Sequence, residues 1–95
     1  MCGRRALPGD ERGREALAKW LAAPPSQVDG ERVREVSRAD GLHLSLDDGF
    51  LMLRASGTEP LLRVYAEARG AQRLRRRLAA GEALLGVYGV SPGSG

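Results

Sequence analysis

Apolar and polar positions alternate most regularly in the middle of the chain. Leu42, Leu44 and Leu46 alternate with His43 and Ser45, the period-two pattern of a half-buried strand. Asp47-Asp48-Gly49 follows as a tight-turn signal of the hairpin type. The alternation resumes from Phe50 to Ala55, with Leu51 and Leu53 on one face and Phe50, Met52 and Arg54 on the other. After a polar interruption, Leu62, Val64 and Ala66 alternate with Arg63, Tyr65 and Glu67. Strands in succession with short connections predict an antiparallel meander.

Helical spacing flanks this centre. Asp10 suits an N-cap, and Leu17, Trp20 and Leu21 form a stripe at helical spacing, predicting a helix over 11–23 that Pro24-Pro25 stops. Trp20 reads as a core anchor. Beyond Gly70, the residues Ala71, Leu74, Leu78, Gly81 and Leu85 share one face of a second helix. Residues 31–38 are ambiguous. Val33 and Val36 suit one helical face, whereas the turn signals Asp29-Gly30 and Asp40-Gly41 favour a short edge strand. Residues 1–9 read as an irregular segment, 10–88 as the domain, and 89–95 as a flexible tail. The expected fold is a two-layer α+β sandwich, an antiparallel sheet of about four strands with two helices packed on one face.

Length and composition narrow the options. A chain of 95 residues makes one domain with a modest core and room for one shallow site. The net charge is +3, carried almost wholly by arginine, with Lys19 the single lysine. That excess favours anionic ligands but is too small to identify nucleic acid. Cys2 is the single cysteine, which excludes an intramolecular disulfide. No apolar run approaches the roughly 18 residues of a membrane span. The segment Met1-Cys2-Gly3-Arg4-Arg5 has no apolar stretch behind it. The chain therefore reads as a soluble, cytoplasmic protein without a membrane partner.

The polar interruption between the last two strands carries the most specific chemistry. It reads Arg54-Ala55-Ser56-Gly57-Thr58-Glu59-Pro60, continued by Leu61-Leu62-Arg63-Val64-Tyr65. Ser56 and Thr58 offer hydroxyl donors. Gly57 permits a tight turn and close approach of a ligand, and Pro60 ends the turn with a fixed φ. Successive backbone N–H groups in such a turn can form a concave anion site. Arg54 and Arg63 can supply planar, bidentate charge to a phosphate. Ser56-x-x-Glu59 also fits a helix capping box, but Pro60 would then sit where a helix needs an N–H.

Other candidates are weaker. Arg73, Arg75, Arg76 and Arg77 could form a nucleic-acid patch. No aromatic residue is interleaved between 66 and 87, and a solvated helix face is the favoured reading. His43 has no partner cluster. Asp47 and Asp48 read as turn-formers before metal ligands. Glu59 and Glu67 have no nucleophile assembled around them, and Cys2 shows no sign of activation.

The motif from Arg54 to Tyr65, with Glu67-Ala68 after it, closely resembles the C-terminal signature of the α-D-phosphohexomutases, the phosphoglucomutase, phosphomannomutase and phosphoglucosamine mutase enzymes. Val28-Asp29-Gly30 and the strands through Asp48-Gly49-Phe50 are also similar to that family's fourth domain, and the resemblance spans about residues 10–88. It implies an antiparallel sheet with helices against it. It also implies a loop that grips the phosphate of a bound hexose 1- or 6-phosphate. Carried over by position, Arg54, Ser56, Gly57 and Thr58 are the phosphate contacts, Arg63 reinforces or orients the loop, and Glu59 and Pro60 shape the turn. Three parts of the family's machinery have no counterpart here: the Ser-His loop that carries the phosphoryl group, the Asp-rich magnesium loop and the loop that reads sugar hydroxyls. The expectation is a phosphate-binding domain that is not catalytic alone and holds no cofactor itself, Mg2+ belonging to the full-length family enzyme. Its partners would be the sugar phosphate and other domains of the same enzyme. A free-standing phosphosugar-binding module acting in trans is the alternative, with a basic nucleic-acid-binding domain behind it.

Overall fold

The structure, a computed structural model, describes residues 1–86. The expected tail at 89–95 lies outside the described residues. The elements run β1 (Cys2–Pro8), α1 (Glu11–Ala22), β2 (Gln27–Val28), β3 (Glu31–Arg32), β4 (Glu35–Ser37), β5 (Leu42–Leu46), β6 (Gly49–Ala55), β7 (Leu61–Glu67) and α2 (Ala71–Leu84). Five strands form one sheet in the order β1-β7-β6-β5-β4, and β2 and β3 make a separate two-stranded ribbon. Every pairing is antiparallel.

The α+β sandwich expected from the pattern is the fold observed, with one strand more in its sheet. The meander β5-β6-β7 follows the predicted alternation. Leu42, Leu44, Leu51, Leu53, Leu62 and Val64 are all fully buried beneath the helices. Each large side chain of this kind contributes about 1.5–3 kcal/mol on burial. The α2 helix presses closely on the sheet at Gly81, where an added Cβ would lie 2.6 Å from Val64 Cγ1. The α1 helix starts at Asp10, whose carboxylate accepts from the Gly13 N–H at 2.8 Å. It ends as expected before Pro24-Pro25. Trp20 packs partly buried against the core, and its Nε1–H donates to the Leu84 carbonyl at 2.9 Å. That bond ties the two helices together.

Two regions differ from expectation. Residues 1–9, read as irregular, supply β1, which pairs along its whole length with β7. The segment has few apolar residues because only one face of an edge strand is covered. Leu7 is its single core residue, and Gly3 makes room for Leu74 and Leu78. The ambiguous stretch at 31–38 is not one strand but two, β3 and β4. The ribbon β2-β3 turns through Asp29 (φ 52°) and Gly30 (φ 79°), the left-handed pair that a two-residue hairpin demands.

Candidate functional site

The polar loop of residues 56–60 joins β6 to β7 at one end of the sheet. Its base is closed by the Ser56 N–H donating to the Leu61 carbonyl at 3.0 Å. Within it, the Glu59 N–H donates to Ser56 Oγ at 3.2 Å, the bond of a helix cap. No helix follows: β7 starts at Leu61, as the alternation required. Pro60 sits inside a tight turn in which the Leu61 N–H reaches the Glu59 carbonyl at 2.7 Å. Among the described residues, the N–H groups of Gly57 and Thr58 donate to nothing in the protein, and the Thr58 hydroxyl has no partner. Ser56 Oγ accepts one bond and keeps its own proton to donate.

Gly57 lies at the open tip of the loop. Its backbone is not in the left-handed region, so the turn does not require glycine there. A Cβ at Gly57 would meet nothing within 4 Å. The position that a side chain would take at Gly57 is open space.

Arg54 and Arg63 are directly opposite each other on β6 and β7. Their inward neighbours Leu53 and Val64 are fully buried, so both arginines project from the uncovered sheet face, just behind the loop. Like charges facing across two strands repel. Arg63 gains partial relief from the Glu59 carboxylate at 3.6 Å, an exposed pair worth little in water. Arg54 is exposed and has no carboxylate partner among the described residues. The structure thus brings together Arg54, Ser56, Gly57, Thr58, Glu59, Pro60 and Arg63 as one constellation of donors and positive charge.

The arginine run on α2 is largely the solvated face expected, with Arg73, Arg75 and Arg76 exposed, and Arg77 is the exception. Arg77 is 1% exposed and donates to Asp48 at 2.7 Å, to Glu31 at 2.8 Å and to the Glu67 carbonyl. Arg73 pairs with Asp48 and Arg76 with Asp29, both at 3.2 Å. Three of the four arginines in the run are thus paired with carboxylates of the domain, which leaves less free charge for a nucleic-acid backbone, while Arg75 is exposed without such a partner among the described residues. Asp48, read as a turn-former, is the hub of this cluster at the opposite end of β6. The Arg69 N–H and the Arg77 guanidinium hold its carboxyl well below the usual carboxylate range. Asp47 pairs with Arg34 at 2.8 Å, which lowers its pKa as well. With both carboxylates committed to arginines, this pair does not fit a magnesium site. No group of three or more metal-ligating side chains occurs among the described residues, nor does any helix there long and apolar enough to cross a membrane. His43 stacks on Phe50 with ring centroids 4.9 Å apart, which accounts for it on the open sheet face.

An antiparallel five-stranded sheet that carries this loop between β6 and β7, with two helices packed against it, defines an α+β sandwich domain. Its lineage is specific. The family model for the phosphoglucomutase/phosphomannomutase C-terminal domain matches residues 10–84, and the chain belongs to that family. It is similar to the phosphoglucomutase/phosphomannomutase of Thermococcus kodakarensis, 32% identical over 71 residues, which cover 75% of this chain and 16% of that protein. It is also similar to probable phosphoglucosamine mutases of Methanopyrus kandleri and Methanococcoides burtonii. These are 42% and 47% identical over 45 residues, about half of this chain and 10% of each relative. The chain therefore spans a sixth or less of the length of these curated relatives.

Proposed function

We propose that the loop from Arg54 to Arg63 binds the phosphate of a hexose phosphate, as the phosphate-gripping part of a sugar-phosphate mutase. The observation that carries this reading is the pairing of Arg54 with Arg63 beneath the free N–H groups of Gly57 and Thr58. A phosphate dianion needs several donors and compensating charge, and it would relieve the repulsion between the two arginines. Family membership supports the same reading. In this role, Arg54 is the principal cation, Ser56 and Thr58 donate through hydroxyl groups, and Gly57 leaves room for the phosphate oxygens. Arg63, held by Glu59, orients the loop, while Glu59 and Pro60 shape it.

The chemistry of phosphoryl transfer would then lie in other parts of such an enzyme, together with its magnesium and its sugar-reading loop. This chain holds phosphate and does not move it. Affinity of the domain by itself should be low, because a shallow loop buries little of a ligand.

The test is a titration of the labelled chain with glucose 1-phosphate, and separately with a short RNA, followed through backbone amides. Glucose 1-phosphate is expected to shift Ser56, Gly57 and Thr58. Arg54→Ala should weaken that response about 10- to 100-fold, the loss of one charge-assisted bond of about 1.5–3 kcal/mol. A response to RNA confined to residues 73–77, with none at the loop, would replace this reading with nucleic-acid binding.

A further inference from the structure

The β1–α1 turn lies against the loop from the side. The Gly9 N–H donates to the Pro60 carbonyl at 2.6 Å. The two backbones are so close that a Cβ on Gly9 would lie 2.7 Å from Pro60 C, 2.8 Å from Pro60 O and 2.9 Å from Leu61 N. All three are backbone atoms, so no side chain can swing aside to admit it. Glycine is required here by close approach: Gly9 is absent from the positive-φ glycines.

The turn itself is pinned. Arg14 Nε donates to the Gly9 carbonyl at 3.1 Å. Asp10, the next residue, caps α1 by accepting from Gly13. The first turn of α1 is seated on the sheet, since a Cβ at Gly13 would lie 2.5 Å from Leu62 Cδ1. Gly9 therefore cannot retreat, whereas the tip of the loop at Gly57 has nothing within 4 Å of where its Cβ would be. A push of Gly9 against Pro60 would therefore be expected to fall on the loop rather than on the turn. The displacement passes along the short bonds that run from Pro60 through Leu61 N–H to Glu59 and from Ser56 N–H to Leu61.

The geometry points to Gly9 as a positioning residue of the phosphate grip, with the β1–α1 turn as the fixed abutment that sets where the Gly57 and Thr58 N–H groups point. This rests on the phosphate reading above. Gly9 falls just before the residues matched by the family model, 10–84, and a motif confined to 54–63 gives no hint of it.

The test titrates the labelled full chain with inorganic phosphate and glucose 1-phosphate in five forms: unsubstituted, Gly9→Ala, Arg14→Gln, Leu74→Ala and Lys19→Gln. Leu74 is a core residue in the first turn of α2, at the Asp48 end of the sheet, and reports loss of stability alone. Lys19→Gln in parallel controls for loss of a charge on α1. Gly9→Ala is expected to shift the free-protein amides from Ser56 to Leu61 and to weaken both ligands at least fivefold. Arg14→Gln should weaken them about twofold beyond Lys19→Gln. Leu74→Ala should melt earlier yet bind normally. Binding by Gly9→Ala within twofold of the unsubstituted chain would overturn the inference, as would an equal loss in Leu74→Ala. If Gly9→Ala does not fold, Arg14→Gln decides, and an affinity equal to that of Lys19→Gln sinks the idea. A silent unsubstituted chain would remove the phosphate grip and its positioning together. A responsive one with an indifferent Gly9→Ala removes the positioning only.

Discussion

Asp48→Asn should destabilise the domain strongly while leaving the loop at 56–60 untouched. The Asp48 carboxylate is 7% exposed and accepts from the Arg69 N–H at 2.9 Å, Arg77 at 2.7 Å and Arg73 at 3.2 Å. An amide there keeps one acceptor oxygen and loses the charge. Arg77, 1% exposed, would keep Glu31, itself 27% exposed, as its one carboxylate, beside the Glu67 carbonyl. Removing one member of a buried pair costs about 3–5 kcal/mol. Glu31 retains part of the compensation, and the half-exposed Arg73 contributes under about 1 kcal/mol. The expected loss is therefore about 2–3 kcal/mol, a fall in Tm of about 10–20 °C for a domain of this size. The folded-state pKa of Asp48 is lowered, so its stabilisation is complete above the ordinary value of about 3.9 and is lost as pH falls below it. Urea melts of both proteins from neutral pH downward should show a constant gap that closes below about pH 4. A gap under about 0.5 kcal/mol, the range of ordinary surface substitutions, would refute the buried-hub argument, as would a gap that persists unchanged into acid.

Gly57→Ala separates binding from folding. It should leave stability unchanged or raise it by up to about 1 kcal/mol through the unfolded chain, yet weaken glucose 1-phosphate binding, because the new methyl fills open space at the tip of the proposed phosphate loop; thermal melts and titration of the same sample check both. Gly81→Ala should destabilise by about 1–3 kcal/mol despite the better helix propensity of alanine, since its Cβ would crowd the fully buried Val64, Leu51 and Leu53; a rise in Tm would contradict this. Trp20→Phe should cost about 1 kcal/mol in a urea melt by freeing the Leu84 carbonyl, with no effect on phosphate affinity.

The strands β5, β6 and β7 were legible because each buries one face only, so the period-two alternation is written directly into the sequence. Both helices were legible from their stripes. β1 was not, because Cys2-Gly3-Arg4-Arg5-Ala6-Leu7-Pro8 buries a single large apolar side chain. Its place comes from backbone bonds to β7, which leave no mark on composition. The site was readable as a motif, since the candidate residues lie within ten positions of one another. Its abutment was not: a glycine 51 positions before Pro60 carries no local sign that another backbone will pass beside it.

The arginines show most clearly why sequence reached the loop but not its electrostatics. In a chain where arginine supplies nearly all the positive charge, each one looks alike in one dimension. The fold sorts them by register. Arg77 is enclosed by Asp48 from the β5–β6 turn and Glu31 from β3, and Arg73 and Arg76 are drawn onto carboxylates that lie far away in sequence. Arg54 and Arg63 are placed face to face by the β6–β7 register instead, with one exposed carboxylate between them. On α2, Arg73, Arg76 and Arg77 have carboxylate partners, and Arg75 stands exposed without one among the described residues. Arg54 and Arg63 share that one carboxylate beside the loop, so on the proposed reading an incoming phosphate would supply the counter-charge that Glu59 gives only in part.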